Sequence, residues 1–280
     1  LKTIFVGCEL NCDIRSPTTF LFNVSVAKTP SQRVVREQFY LSPDVAMQSF
    51  PMGLSGNQVH RFRLMPCAFR LRYEALVTLD AESDLATSLK EQAYRDLPPD
   101  VLPYLNPSRF CESDLLGDYA LCEFGALQQG HSRVLAICEW IHRHIQYTSG
   151  STTSHTTACD VLLQRKGVCR DFAHLGIAFC RALGIPARYV SGYGLDIHPP
   201  DFHGFFEAFL GERWYLFDPS RLAPIEGLVR IASGLDAADV PFATWIGSAV
   251  LSGKTVWAQP TEGQATSFPR DPQGQAISTA

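Results

Sequence analysis

Gly167-Val168-Cys169-Arg170-Asp171 stands where a loop gives way to a helix. Behind it Phe172, Leu175, Gly176, Phe179, Cys180 and Leu183 recur at helical spacing, and Gly184-Ile185-Pro186 stops the run. The helix therefore starts near Cys169 and carries that thiol in its first turn. Unpaired backbone N–H groups and the helix dipole stabilise a thiolate there. Cys138 and Cys180, by contrast, fall on apolar helical stripes and read as inert core side chains.

A nucleophilic cysteine needs a base, and the base needs an orienting group. Ala187 to Tyr193 reads as a strand, followed by a hairpin in which Gly211-Glu212 turns His203–Leu210 back on Arg213–Asp218. A two-residue turn pairs Leu210 with Arg213 and Phe205 with Asp218, and sets His203 opposite Ser220. His203, Phe205, Glu207 and Phe209 then share one face with Trp214, Leu216 and Asp218. His203 and Asp218 become diagonal neighbours, roughly 7 to 8 Å apart at the backbone, a gap their side chains close to a hydrogen bond. An odd-length turn would put them on opposite faces.

Upstream, Val134, Ile137, Cys138, Ile141 and Ile145 form the stripe of an amphipathic helix beginning near Ser132. Before it, Pro98-Pro99-Asp100, Pro103 and Asn106-Pro107-Ser108 interrupt any long element. Earlier still the period is two. Phe20, Phe22, Val24 and Val26 alternate with polar residues, as do Leu71, Tyr73, Ala75, Val77 and Leu79. With Val34–Leu41 and Val59–Leu64 these segments predict an antiparallel β-sandwich. The expected division is a sandwich over 1–95, a connector over 96–125, a catalytic core over 126–260 and a flexible tail over 261–280 rich in Gln, Gly, Ser, Thr and Pro.

The stretch from about Ala158 to Ser220 resembles the core of bacterial transglutaminase-like proteins, a family described as cysteine proteases by inference. The run Gly-Val-Cys-Arg-Asp-Phe-Ala at 167–173, Leu-Gly-Ile-Pro-Ala-Arg at 183–188, Ser191-Gly192-Tyr193 and the spacing of His203, Glu207, Trp214 and Asp218 carry the likeness. Thr29–Val34 and Leu105–Ser113 resemble the bacterial transglutaminase-like N-terminal domain and its connector. The resemblance implies an α+β fold: a papain-like cysteine-protease core with a Cys169-His203-Asp218 triad, preceded by the β-sandwich. Where the family pattern has a small residue and then Trp after the histidine, this chain has Gly204 and Phe205, which makes Phe205 a candidate for the substrate cleft; Tyr193, an aromatic at a strand end, is a candidate for the cleft or for packing. Asp218-Pro219-Ser220 varies the family's ending but retains the carboxylate.

The implied reaction is thiol-dependent acyl transfer on a peptide or protein amide. His203 deprotonates Cys169, Asp218 fixes the ring, and the Cys169 N–H meets the oxyanion together with a second donor, for which Tyr147 is the candidate. Water as acceptor gives a peptidase or amidase, an amine gives a transglutaminase, and loss of chemistry would leave a binding module. Asp171 reads as a helix-dipole partner, Arg170 as a surface or substrate-edge charge, and Glu207 as a support behind the site or a salt bridge. His174 reads as helix surface, while His142 and His144 diverge too far for a metal pair.

The 280 residues are 46% hydrophobic and 19% charged, enough to bury a substantial core. A net charge of −4 supplies no field that recruits nucleic acid or an anionic membrane. The longest apolar candidate, Val240 to Leu251, is shorter than the roughly 18 residues of a spanning helix. The nine scattered cysteines lack Cys-x-x-Cys spacing and read as reduced, cytoplasmic thiols. No zinc, calcium or phosphate-cradling motif appears, so catalysis is expected to need no cofactor and no metal.

Overall fold

Strict alternation begins well before Phe20: Ile4, Val6, Cys8, Leu10, Cys12 and Ile14 are all buried on β1 (Lys2–Ile14). The computed structural model describes residues 1–261 and 274–280. After β1 come β2 (Thr18–Phe22), β3 (Gln32–Ser42), β4 (Gln48–Met52), β5 (Asn57–Leu64), β6 (Cys67–Leu79) and β7 (Glu82–Leu85). The middle of the chain forms α1 (Gly117–Phe124), α2 (His131–His144), β8 (Gln146–Tyr147), α3 (Ala158–Gln164), β9 (Lys166–Gly167) and α4 (Cys169–Ala182). It ends with β10 (Ala187–Gly194), β11 (Phe202–Leu210), β12 (Arg213–Phe217), β13 (Leu228–Gly234), β14 (Ala243–Ile246), β15 (Ala249–Pro260) and β16 (Gln275–Ser278).

Two antiparallel sheets, ordered β15-β1-β6-β3 and β14-β2-β5-β4, make the sandwich. Phe20 and Phe62 from one sheet meet Phe69 of the other, with ring centroids 6.1 and 5.2 Å away, and Phe22 stacks on Phe62 at 5.4 Å. Such contacts join the layers, because aromatic rings bring the largest apolar area per residue to the seam. A third antiparallel sheet, β12-β11-β10-β13, is covered by α4 and then by α2. Residues 171–181 of α4 are buried on every side, as befits a helix enclosed between a sheet and other helices. Together these layers are the α+β architecture expected, with sandwich and core sharing one continuous apolar cluster.

The division of the chain differs from expectation in three places. The sandwich does not end near residue 95, nor does the core run to 260. Strand β14 pairs with β2, and β15 pairs with β1 from Ile4↔Pro260 to Ile14↔Ala249. Without β15, β1 would present an open row of backbone donors and acceptors over 13 residues, and the returning strand closes that edge. The connector over 96–125 ends in a real helix, α1, whose Ala120 and Phe124 pack into the core. Of the expected flexible tail, residues 262–273 lie outside the described residues, whereas β16 pairs with β7 and buries Ala276 and Ile277.

Candidate active site

The loop before α4 is fixed by one carboxylate. Val168 is extended (φ −112°, ψ 178°), and its N–H donates to Asp171 Oδ2 at 2.9 Å. Thr152 Oγ1 donates to the same oxygen at 2.7 Å, and Arg170 donates to Oδ1 through Nε (3.0 Å) and Nη2 (2.8 Å). Asp171 is fully buried. Besides complementing the helix dipole, it therefore pins the residue preceding Cys169, which leaves that thiol partly exposed at the helix N-terminus. Arg170 also donates to the Thr153 carbonyl, so it ties down the loop over residues 152–153.

The hairpin has the expected register. Leu210 faces Arg213, Glu207 faces Leu216 and Phe206 faces Phe217, with Gly211 at φ +59° supplying the positive φ that the first turn position needs. Continued past the ladder, this register brings the two side chains together: His203 Nε2 donates to Asp218 Oδ2 at 2.7 Å. The other carboxylate oxygen accepts from Ser220 N–H (2.9 Å) and Ser220 Oγ (2.6 Å). Burial alone would lower the proton affinity of His203. The Asp218 carboxylate and the Cys169 thiol outweigh it and raise the imidazole pKa from 6.5 to about 10. Burial would likewise raise the pKa of Asp218, but His203 and Ser220 hold it below its ordinary value. With Nε2 committed to Asp218, Nδ1 is the ring nitrogen left for Cys169.

Tyr147 lies on β8, which pairs in parallel with β9 just ahead of α4. Its hydroxyl sits against Cys169, within hydrogen-bonding reach of both the thiol and the backbone N–H. Burial and the neighbouring thiol raise its pKa, so it stays a neutral donor. The ring is 43% exposed, at the mouth of the site. Tyr189, buried beneath the site, was not singled out by sequence reasoning. A Cβ on Gly204 would come 2.2 Å from its hydroxyl, so glycine after His203 lets β11 and the tyrosine pack against each other. Nothing in the pattern of β10 distinguishes Tyr189 from an ordinary core aromatic. Ser220 was also missed, although an Asp followed two residues later by Ser is an Asx-type local hydrogen-bonding signal.

Other expected site residues lie elsewhere. Phe205 is buried with Val190, Ile197 and Leu216 in a secondary apolar cluster rather than in a cleft. Tyr193 is fully buried and donates to the Val24 carbonyl at 2.7 Å, linking the core to the sandwich. Glu207 does not reach His203 or Asp218. It accepts from Arg188 Nε at 2.6 Å and from Arg230, a buried salt bridge. His174 is not on the helix surface: it is fully buried, 5.2 Å from the Phe110 ring and 5.1 Å from Tyr189, and burial pushes its pKa down to about 4. These shifts share one cause. Alternation specifies a face of a strand, and both faces of this central sheet are covered.

Among the described residues no three His, Cys, Asp or Glu side chains group as a metal site, and the nine cysteines are free thiols. No described helix is long and apolar enough to cross a membrane.

Residues 123–219 match the transglutaminase-like superfamily, and residues 3–89 match the N-terminal domain of bacterial transglutaminase. An uncharacterized protein from Mycobacterium leprae is 35% identical over 119 residues, and one from Mycobacterium tuberculosis is 41% identical over 96. These matches span 38% and 34% of this chain, and 41% and 30% of the mycobacterial proteins, so less than half of each relative is represented. The crystal structure of a proposed cysteine protease from Cytophaga hutchinsonii superposes with a TM-score of 0.93 at 38% identity, covering 100% of this chain and 98% of that one. The chain therefore belongs to the transglutaminase-like superfamily, with the bacterial transglutaminase N-terminal domain as its sandwich.

Proposed function

We propose that the protein is a thiol-dependent acyl-transfer enzyme that hydrolyses peptide or amide bonds through Cys169, His203 and Asp218. The observation that carries this reading is the buried imidazole held between a helix-terminal thiol and a carboxylate at 2.7 Å. His203 Nδ1 takes the Cys169 proton, and Sγ adds to the substrate carbonyl carbon. The oxyanion is met by the Cys169 N–H and the Tyr147 hydroxyl, both of which lie beside the sulfur. Collapse of this intermediate returns the proton from His203 to the departing amine and leaves a thioester. Water, deprotonated by the same imidazole, then releases the acid and regenerates the thiol. Asp218 keeps the ring oriented and stabilises its charged form throughout. The likeness to the Cytophaga hutchinsonii protein supports a protease over a binding module, since the residues such chemistry needs are all present.

The test is incubation of the wild type and Cys169→Ser with a mixed peptide pool, with and without an excess of a primary amine, followed by mass spectrometry. Products carrying the elements of water, formed by wild type and absent with Cys169→Ser, are expected. Products carrying the amine instead would move the reading to transamidation. Equal turnover by the Cys169→Ser variant would overturn the role of the thiol.

A further inference from the structure

One corner of the candidate active site is cationic, and the Phe110 ring is its platform. The Phe110 N–H donates to Asp236 Oδ2, its carbonyl accepts from the Ala158 N–H, both at 2.9 Å, and its ring stacks on the buried His174. Over this fixed ring lie two guanidinium groups, Arg109 at 5.1 Å and Arg170 at 5.8 Å from its centroid, so the two are no more than about 11 Å apart. Arg170 directly follows Cys169, and its Cα would stand 3.2 Å from a Cβ on Gly204, the residue after His203. The corner thus adjoins both the thiol and the imidazole, between the start of α4 and β11.

Arg170 spends Nε and Nη2 on Asp171 and the Thr153 carbonyl, which orients it and leaves Nη1 without a partner among the described residues. Arg109 is exposed, and its Nη2 donates to His155 Nδ1 at 3.5 Å. A guanidinium only donates, so that ring nitrogen accepts and the imidazole is neutral. The carboxylates of this region are engaged elsewhere. Asp171 holds Val168, Thr152 and Arg170, and Asp236 accepts from the Phe110 and Ala238 N–H groups. Glu112, Asp114 and Asp160 gather around Cys159 in the first turn of α3, where the helix dipole favours them. On the Tyr147 side, Asp201 is paired with Lys254 at 2.6 Å. No carboxylate of the described residues forms an ion pair with Arg109. We infer that Arg109 and Arg170 form a subsite for an anionic group, and that the acyl donor carries a carboxylate within two residues of the amide that Cys169 attacks. An extended peptide advances roughly 3.3 Å per residue, which brings such a group from the sulfur to the guanidinium pair, and the planar fork suits a carboxylate. An acidic side chain and a free C-terminus offer the same group. The inference rests on the reading of Cys169 as the nucleophile.

The experiment alkylates Cys169 in the full chain and reads the rate by peptide mass. N-iodoacetylglycine and N-iodoacetylglutamic acid α-amide are compared with their neutral counterparts, N-iodoacetylglycinamide and N-iodoacetylglutamine α-amide. The first anion presents a terminal carboxylate and the second a side-chain carboxylate, so the larger preference identifies the source. At least one anion is expected to react about tenfold faster than its neutral counterpart at low salt, and the ratio should fall towards one in about 0.5 M sodium chloride. Arg109→Met should lower the ratio at least about threefold, and Arg109→Glu should take it below one. Damage to the fold would slow both reagents of a pair and leave their ratio alone. Ratios near one in the wild type, or an undiminished ratio in folded Arg109→Met, overturn the subsite. Slow labelling by every reagent with the anion preference intact would remove the nucleophile and keep the anion site, whereas fast labelling without preference does the reverse.

Discussion

Replacing Asp218 by Asn keeps the shape of the side chain and an oxygen that can accept from His203, but removes the charge. In the native protein the imidazole pKa stands at about 10 against an ordinary 6.5, which amounts to about 5 kcal/mol in favour of the imidazolium. Asp218 and Cys169 supply that gain together, against burial. Assigning Asp218 the larger part gives about 3 kcal/mol, or roughly a 100-fold change in the population of the thiolate–imidazolium pair. In Asp218→Asn the ring keeps the neighbouring thiol but loses the carboxylate, so it holds its proton less firmly against burial and the thiolate–imidazolium pair is less populated. Iodoacetamide labelling of Cys169, followed by peptide mass, reads this directly. Near pH 6 the variant should react about 100 times more slowly than the wild type, and the two rates should converge as the pH rises and the thiolate no longer depends on the imidazolium. Superimposable profiles for the two proteins across about pH 5 to 9 would refute the reasoning, since the carboxylate would then contribute nothing to the state of the thiol.

Three further outcomes follow from the same geometry. Gly204→Ala drives a Cβ to 2.2 Å from the Tyr189 hydroxyl and should cost about 1–3 kcal/mol in urea denaturation, part of it recovered with Tyr189→Phe; an unchanged midpoint would contradict the packing. Burial lowers the pKa of His174 to about 4, so between pH 6.5 and 4 the unfolded chain binds the proton that the folded chain refuses. Its stabilising share, about 3 kcal/mol, is therefore present above pH 6.5 and lost as the pH falls through 4, and His174→Phe should flatten that acid limb in denaturant titrations. Removing the Tyr147 hydroxyl by Phe substitution should lower kcat about 100-fold with little change in KM, and a loss confined to KM would assign the ring to substrate binding instead.

The site was legible where chemistry depends on short-range chain geometry. A cysteine at a loop-to-helix boundary, and a two-residue turn that sends His203 and Asp218 to one face, follow from periodicity and turn length alone, and the observed register is the one those rules require. Residues whose position depends on what covers a surface were not legible. Phe205 lies on the same face as His203 by strand alternation yet fills an apolar cluster, whereas Glu207 on that face makes the salt bridge that was one of its two readings, with two arginines that the sequence did not name. Tyr193 and His174 were placed at a strand end and on a helix surface, and both are enclosed by elements distant in sequence. Alternation from Ile4 to Ile14 is present in the sequence, but Phe5 and Gly7 blur it at its start. Apolar residues near 240–260 gave no sign of which domain they would join, since pairing over more than 230 positions leaves no local trace.

The return of β15 to β1 has a consequence for biosynthesis. The sandwich sheet gains its last strand only when residue 260 has been made, so during translation β1 waits with one edge unpaired while the whole core layer emerges. The N-terminal unit is thus not a finished module to which the core was appended. Its sheet closes only after the core has been made, and an interrupted chain leaves an adhesive strand edge exposed to other nascent chains. A fragment ending at residue 95 should accordingly self-associate more readily than the full chain.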